Sequence, residues 1–436
     1  MTGYGKSERE RTYTENYVDL SKRSPFAQDR DRILYCSEFR SLAGKTQVVS
    51  ADELGRFHTR LTHTLKVAQL GRVLAARLGK ELGNGLPDPD IVEAACLAHD
   101  IGHPPFGHAG EHELCMAMDR LREKKCTGTQ QQSTGTQQDD GFEGNAQTFR
   151  IVTRSASRGG EEPQEGGLNL TRATLRAIVK YPWCRGEHSD EKYSKKWSAY
   201  SDDKDYLEWV LKGNSDHDLP LEEQIMDWSD DVAYACHDME DFYRSRTIPL
   251  DRLLGTPDKD GRELERFLDW LKHNRRTYDP DSAKTALLRL AKLVHVESPY
   301  DGSPTMEARL KFSTSQLISH FMNSVKAKGA SLHGYDAELK IPASLHFECD
   351  LLKEFAWFYV IESRELRTQQ AGQRRIVRDL LEWHFEDQML LPPFLRGKSD
   401  PLRAACDYVA SISERHAHEL HRRLSGESIG NITDML

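Results

Sequence analysis

LAHDIGHPPFGHAGEHE, residues 97–113, is the stretch on which the reading of the whole chain turns. It begins as the end of an apolar segment, DIVEAACLAHDI (90–101), whose apolar residues recur at helical spacing, and it breaks at Gly102, Pro104 and Pro105. The His99-Asp100 pair therefore closes an apolar helix, and His103, His108, Glu111 and His112 follow closely. An ionised Asp at such a place is costly to bury alone, whereas a divalent cation compensates the carboxylate and the imidazole together. The plainer alternative is an Asp that orients a hydrogen-bonded core His.

Working outward, TRLTHTLKVAQLGRVLAARL (59–78) reads as an amphipathic helix in which His63 shares a stripe with Val67, Leu70 and Leu74. His63 thus points inward. A lone His on an apolar face is more often a core residue than a ligand, and the later His-Asp pair is what makes it a ligand candidate. Downstream, a helix from about Leu221 to Arg244 carries Ile225, Val232, Met239 and Phe242 on one stripe and Asp230, Tyr234, His237 and Asp238 on another. A core stripe beside an acidic-aromatic stripe suits the wall of a polar cavity; the alternative is a solvated acidic face. Weaker helical patterns follow at 262–274, 283–295, 305–327, 349–365, 370–388 and 402–424. Alternating stretches are few and short, so the fold class is all-α.

Two segments break the helical pattern: the polar tract CTGTQQQSTGTQQDDG (126–141) and the Gly/Glu/Ser-rich SASRGGEEPQEGG (155–167) read as mobile loops. The charged, irregular stretch 185–205 reads as a further insertion. There is no internal repeat. The 436 residues suit one large domain or a main domain with appendages. With 38% hydrophobic and 30% charged residues and a mean hydropathy of -0.68, no apolar run approaches the ~20 residues of a membrane span. The polar start MTGYGKSERERTYTENY does not read as a secretory signal, and a cytoplasmic location is expected. Eight scattered cysteines without a CxxC pair read as reduced thiols. A net charge of -9 disfavours indiscriminate nucleic-acid binding, although Arg374-Arg375 and Arg422-Arg423 are local basic clusters.

The order His63, His99-Asp100, Asp230 resembles the HD phosphohydrolase superfamily. More narrowly, FRSLAGKTQV (39–48), TRLTHTLKVAQ (59–69), LAHDIGHPPFGHAGE (97–111), GFEGNAQTFR (141–150), VKYPW (179–183) and SDDVAYACHDMEDF (229–242) resemble the bacterial dGTPase (deoxynucleoside triphosphate triphosphohydrolase) family. The C-terminal third matches more loosely, through LLKEFAWFYVI (351–361), and the departures are the Gln/Thr/Gly tract and 185–205. The resemblance implies an HD-domain helical catalytic core over 1–250, with a helical C-terminal region, 251–436, packing on it.

It also implies one divalent ion per site held by His63, His99, Asp100 and Asp230, a donor set that suits Mn, Fe, Ni, Co or Zn better than an all-oxygen Mg site. Asp231 is the rival fourth ligand. Asp230 is preferred because it shares a helix face with Tyr234 and Asp238, and because the family's ligand stands four residues before the Tyr. His108 and Glu111 match the family's proton-transfer dyad; the alternative is an ion pair at a helix start. His103 is a candidate phosphate contact, and His112 is expected to face solvent. Arg60, Lys180, Tyr234 and Asp238 are expected to bind substrate, with Gln47 and Arg40 as weaker candidates for sugar or phosphate and Glu143 and Asn145 as supporting groups.

The implied reaction is hydrolysis of a deoxynucleoside triphosphate, dGTP foremost, to deoxynucleoside and inorganic triphosphate by water attack at the α-phosphorus. Family members assemble into homo-oligomers, commonly hexamers, and some respond to nucleotides or single-stranded DNA, so these are expectations too. Two other readings stand beside it: an HD enzyme for another nucleotide, and a nucleotide- or single-strand-responsive regulator without activity. The intact quartet with His108 and Glu111 argues against the second.

Overall fold

A computed structural model describes residues 4–14, 22–48, 57–83, 85–128, 140–157, 166–213, 218–255, 261–275, 277–329 and 337–430. Its elements are α1 (Pro25–Tyr35), α2 (Ser37–Ser41), α3 (Arg60–Leu82), α4 (Pro89–Ala98), α5 (Gly107–Gly128), α6 (Gly144–Arg150), α7 (Arg172–Ile178), α8 (Lys204–Leu211) and α9 (Leu221–Arg244). They continue as α10 (Arg262–Asn274), α11 (Pro280–Ala291), α12 (Pro304–Asn323), β1 (Lys326–Lys328), β2 (Glu338–Lys340), α13 (Ala343–Ala356), α14 (Arg364–Glu386), α15 (Pro401–Ser411) and α16 (Glu414–Leu424). The fold is all-α, and the two short strands form one antiparallel pair with Lys326 opposite Lys340.

Local chemistry sets the helices that matter. Thr59 caps α3 by accepting from the Thr62 N–H, and Gly83 ends it at φ 70°, a conformation that glycine adopts without strain. Asp88 caps α4 and Pro89 occupies its first turn, where the missing N–H is harmless. The buried stripe of α3 (Val67, Leu74, Leu78) then packs on Ile91, Val92 and Ala95 of α4 and on Ile225 and Val232 of α9. Burial of each large aliphatic chain there contributes about 1.5–3 kcal/mol. This three-helix layer carries His63, His99 and Asp230. A second cluster joins Leu114 and Met118 of α5 to Val377 and Leu380 of α14 and to Cys406 and Val409 of α15.

Several expectations need correction. The second helix ends at Ala98 and not at 101, so His99 and Asp100 stand in the turn beyond it, closed by Ile101 N–H to Ala98 and His103 N–H to Asp100 bonds. The pattern 402–424 is two helices, because Ser413 starts α16 by capping His416 N–H. The pattern 305–327 stops at Asn323 and leads into β1, and that at 349–365 starts earlier, at Ala343. Within 185–205, residues 197–200 and Asp203 are buried, whereas most of 186–195 is exposed. Of the two tracts read as mobile loops, 129–139 and 158–165 lie outside the described residues.

The region from 251 onward packs on the rest: α12 and α13 lie on α9, and α14 and α15 on α5. The main core runs unbroken from Phe26 to Leu366 across position 250. The described cysteines are free. No helix among the described residues is long and apolar enough to cross a membrane.

Candidate functional site

His63 comes from the first turns of α3, His99 and Asp100 from the turn after α4, and Asp230 from the middle of α9. His63 Nε2 and Asp230 Oδ1 are 2.9 Å apart, and His99 Nε2 lies 3.6 Å from both Asp230 Oδ1 and Asp100 Oδ2. One ligand atom each from His63, His99 and Asp230 falls within 4.8 Å of the other two. Asp100 stands at the edge of this group, its Oδ2 accepting from Arg60 Nη1 at 2.6 Å. His99 Nδ1 donates to the Cys96 carbonyl at 2.6 Å, which fixes the ring so that Nε2 turns into the site. That Nε2 is buried and has no hydrogen-bond partner.

These observations fit a cation. Two ligands each about 2.1 Å from one ion stand about 3.0–3.4 Å apart at angles of 90–109°, close to the spacings around His99. A buried ring nitrogen without a partner, facing two carboxylates, is what a metal ligand would present. Burial would push the His99 imidazolium down, but Asp100 and Asp230 outweigh it and hold its pKa up at about 9. Burial likewise opposes charge on Asp100 and Asp230, yet Arg60 and His99 hold Asp100 low, and His99 with His63 holds Asp230 low. The rival Asp231 is engaged elsewhere, pairing with Lys353 Nζ at 2.7 Å.

A second group stands beside the first. His103, His108 and Glu111 bring ligand atoms within 4.8 Å of one another, and His103 Nε2 is 3.6 Å from Asp100 Oδ1. Burial and the Arg60 charge push His103 down to about 3, so it is neutral, and its Nδ1 has no partner. His108 Nδ1 donates to Glu111 Oε2 at 3.0 Å while its side chain is 74% exposed, which leaves Nε2 facing outward. Glu111 Oε1 accepts from Gly144 N–H at 3.0 Å. Burial opposes the Glu111 charge, but the His108 bond and the Lys196 charge hold its pKa well below the usual range.

Close backbone approach makes this junction possible. A Cβ on Gly102 would stand 2.2 Å from Thr148 N and 2.3 Å from the Gly144 carbonyl oxygen, and one on Gly144 2.4 Å from His103 Nδ1. Only glycine lets the turn after α4 lie on the start of α6. There Gly102 N–H donates to Thr148 Oγ1 (3.0 Å), whose hydroxyl donates to the His99 carbonyl (3.3 Å).

The remaining expected residues divide. Arg60 is buried at the site, its Nε and Nη2 without partners. Asp238 is buried with an unpartnered Oδ2, and burial together with Asp241 and Asp230 pushes its carboxyl well up. Tyr234 is half-buried, and burial with Asp238 and Asp230 raises its phenol. Lys180 is ion-paired with Asp227. Gln47 is half-buried with an unpartnered Oε1, whereas Arg40 and His112 are exposed. Glu143 caps α6 by accepting from the N–H groups of Asn145 and Ala146.

Three residues in this neighbourhood were not anticipated. Lys45 Nζ, fully buried, donates to the carbonyls of His103 (2.6 Å) and Ala410 (2.9 Å). Glu414 of α16 accepts from Thr46 N–H, Thr46 Oγ1 and Phe106 N–H. Lys196 bonds Glu143 Oε1 at 3.0 Å and lies 3.8 Å from Glu111 Oε1. A buried Lys beside Gln47 carries no sequence signal, but Trp197 and Tyr200 inside a charged stretch are apolar anchors that mark 196 as a packed position.

Comparison with known proteins adds to this geometry. The HD domain model matches residues 60–145, which hold His63, His99 and Asp100, and the phosphohydrolase-associated domain model matches 339–423. The chain is a phosphohydrolase of the HD class. The deoxyguanosinetriphosphate triphosphohydrolase-like protein of Streptomyces coelicolor is 38% identical to it, covering 93% of this chain and 93% of its own. Proteins of the same description from Bifidobacterium longum (34% identical, 96% of this chain, 86% of that one) and Corynebacterium glutamicum (35%, 92% of each) are similar as well. This chain belongs to the family of deoxyguanosinetriphosphate triphosphohydrolase-like proteins.

Proposed function

We propose that this enzyme hydrolyses deoxynucleoside triphosphates, with dGTP the preferred substrate, to a deoxynucleoside and inorganic triphosphate by water attack at the α-phosphorus. The convergence of the His63, His99 and Asp230 group with the His103, His108 and Glu111 group across Asp100 is the observation that carries it. The similarity to deoxyguanosinetriphosphate triphosphohydrolase-like proteins supports the choice of substrate. A divalent cation held by His63, His99, Asp100 and Asp230 would polarise the α-phosphoryl group and lower the pKa of a bound water; Mn, Fe, Ni, Co and Zn suit this donor set.

The chain's own groups do the rest. Glu111 fixes the His108 tautomer, so the outward Nε2 can take or give the proton moved during attack and departure of the 5′-oxygen. Arg60, anchored through Nη1 on Asp100, aims its free Nε and Nη2 at the polyphosphate. Lys180 reaches phosphate by leaving Asp227. Neutral His103 contacts a phosphate oxygen, Gln47 the sugar or phosphate, Tyr234 the polyphosphate, and Asp238 lines the substrate site. Homo-oligomeric assembly, a hexamer foremost, and a response to nucleotides or single-stranded DNA are proposed on family grounds alone.

Turnover in ¹⁸O-water tests the reaction. Label in the released triphosphate, with an unlabelled deoxynucleoside 5′-hydroxyl, is the expected result. Deoxynucleoside monophosphate with pyrophosphate, or label in the 5′-hydroxyl, would sink the triphosphohydrolase reading. Each dNTP is assayed singly and mixed, with Mn or Mg, which ranks dGTP against the others.

A further inference from the structure

Lys196 lies in the stretch 185–205 and belongs to neither ligand group. Its backbone is anchored: its N–H donates to the Tyr193 carbonyl (2.9 Å), and its carbonyl accepts from Trp183 Nε1 (2.7 Å). Trp197, next in sequence, is buried in a cluster with Trp183, Tyr200 and Ala146 of α6. An ammonium on a backbone fixed this way is directed, not tethered loosely. It donates to Glu143 Oε1 at 3.0 Å and stands 3.8 Å from Glu111 Oε1.

Two buried carboxylates therefore meet at one ammonium. Glu143 accepts from the α6 amides through Oε2 and from Asn145 Nδ2 through Oε1 (2.9 Å), while Glu111 accepts from His108 through Oε2 and from Gly144 N–H through Oε1. The charged and titratable groups around the pair are His108 on the α5 side, His103 from the preceding turn, Lys196, and Tyr181 from the segment before it. Like carboxylates held close together repel, and a cation between them offsets that repulsion. Lys196 is that cation. Burial would push its ammonium down, but Glu143 and Glu111 hold it charged.

We propose that Lys196 is a positioning residue for proton transfer: by bridging Glu143 and Glu111 it keeps the Glu111 carboxylate aligned on His108. The inference rests on the reading of His108 and Glu111 as the proton-moving pair. Lys196 acts through Glu111, and the substrate need not touch it.

The test compares Lys196→Met, Lys196→Arg, the double variant Lys196→Met with Glu143→Gln, and the exposed neighbour Lys195→Met as control. Lys196→Met should lower kcat on the order of tenfold or more, part of the 10²–10⁴ available to a proton-transfer group, with KM within about twofold. Its acid limb in kcat against pH should move up by about half a unit or more, since Glu111 then protonates more readily. Lys196→Arg, which keeps the charge, and the double variant, which removes the repulsion, should both recover part of the loss. Lys195→Met should match wild type. If Lys196→Met does not fold by thermal melting, Lys196→Gln carries the same comparison.

A raised KM with unchanged kcat would make Lys196 a phosphate contact and overturn the proposal, as would an unmoved pH profile. Wild type is assayed first on every dNTP. Its failure to release triphosphate refutes the proposed reaction, and the Lys196 series is then run on whichever nucleotide it does hydrolyse, so the two failures stay distinct.

Discussion

Replacing Glu414 by Ala should unfasten the site from the far end of the chain. Its carboxylate is buried and accepts three hydrogen bonds: from Thr46 N–H at 2.7 Å, Thr46 Oγ1 at 2.6 Å and Phe106 N–H at 3.0 Å. Phe106 sits at φ 67°, a left-handed conformation costing a non-glycine residue about 1–2 kcal/mol, and the bond to Glu414 helps hold it there. Each hydrogen bond to a charged group contributes about 1.5–3 kcal/mol, but desolvation of the carboxylate offsets part of the sum. Removing the acceptor leaves three buried donors unsatisfied at about 1–3 kcal/mol each, less the carboxylate desolvation that is no longer incurred, so a loss of about 3–5 kcal/mol is expected for Glu414→Ala.

Glu414→Gln keeps one acceptor oxygen and should lose about half as much. Because the turn at Phe106 leads directly into His108, kcat should fall along with stability. Urea unfolding followed by tryptophan fluorescence, with steady-state kinetics on the same preparations, measures both. Stability within about 0.5 kcal/mol of wild type, the range of an ordinary surface substitution, would refute the clamp.

Asp230→Ala should abolish both bound metal and activity, while Asp231→Ala, whose native carboxylate is paired with Lys353, should keep the metal; metal analysis of the purified variants decides between them. His108→Ala should keep the metal and lose about 10²–10⁴ in turnover, and near-normal turnover would remove it from the mechanism. Gly144→Ala should unfold or displace His103, because its Cβ would lie 2.4 Å from His103 Nδ1; a wild-type melting temperature would contradict this. Burial and Arg60 depress the Lys45 ammonium to about 7 from 10.5. Between those values the unfolded chain holds a proton that the folded chain lacks, so stability should rise with pH through that window. Lys45→Met should lack this component in denaturation series from pH 7 to 10.

What the sequence disclosed depended on how local the cause was. The helix Leu221–Arg244 has the bounds its stripes predict, because periodicity and the end of the pattern lie within the segment itself. The inward direction of His63 was legible for a related reason, since it shares a buried stripe with Val67, Leu70 and Leu74, but its grouping with His99 and Asp230 as candidate ligands came from the family resemblance and not from periodicity. Asp100 shows the limit. Periodicity places it in the helix with His99, but the chain has already turned, and the partner of its Oδ2 is Arg60, forty positions away in sequence.

Lys45, Glu414 and Lys196 were illegible by the same logic taken further. Glu414 bonds Thr46 across 368 positions, and Lys45 reaches Ala410 across 365, distances over which no pattern in the chain records the pairing. The consequence is functional as well as architectural. The turn carrying His103 and Phe106 is held from one side by α6 through Gly102 and Gly144 and from the other by α15 and α16 through Lys45 and Glu414. The ligand group belongs to the locally readable three-helix layer, whereas the placement of His108 depends on contacts that only the complete fold supplies. Substitutions in the C-terminal helices should therefore affect proton transfer before they affect metal content, which makes the ratio of turnover to bound metal the quantity that separates the two halves of the site.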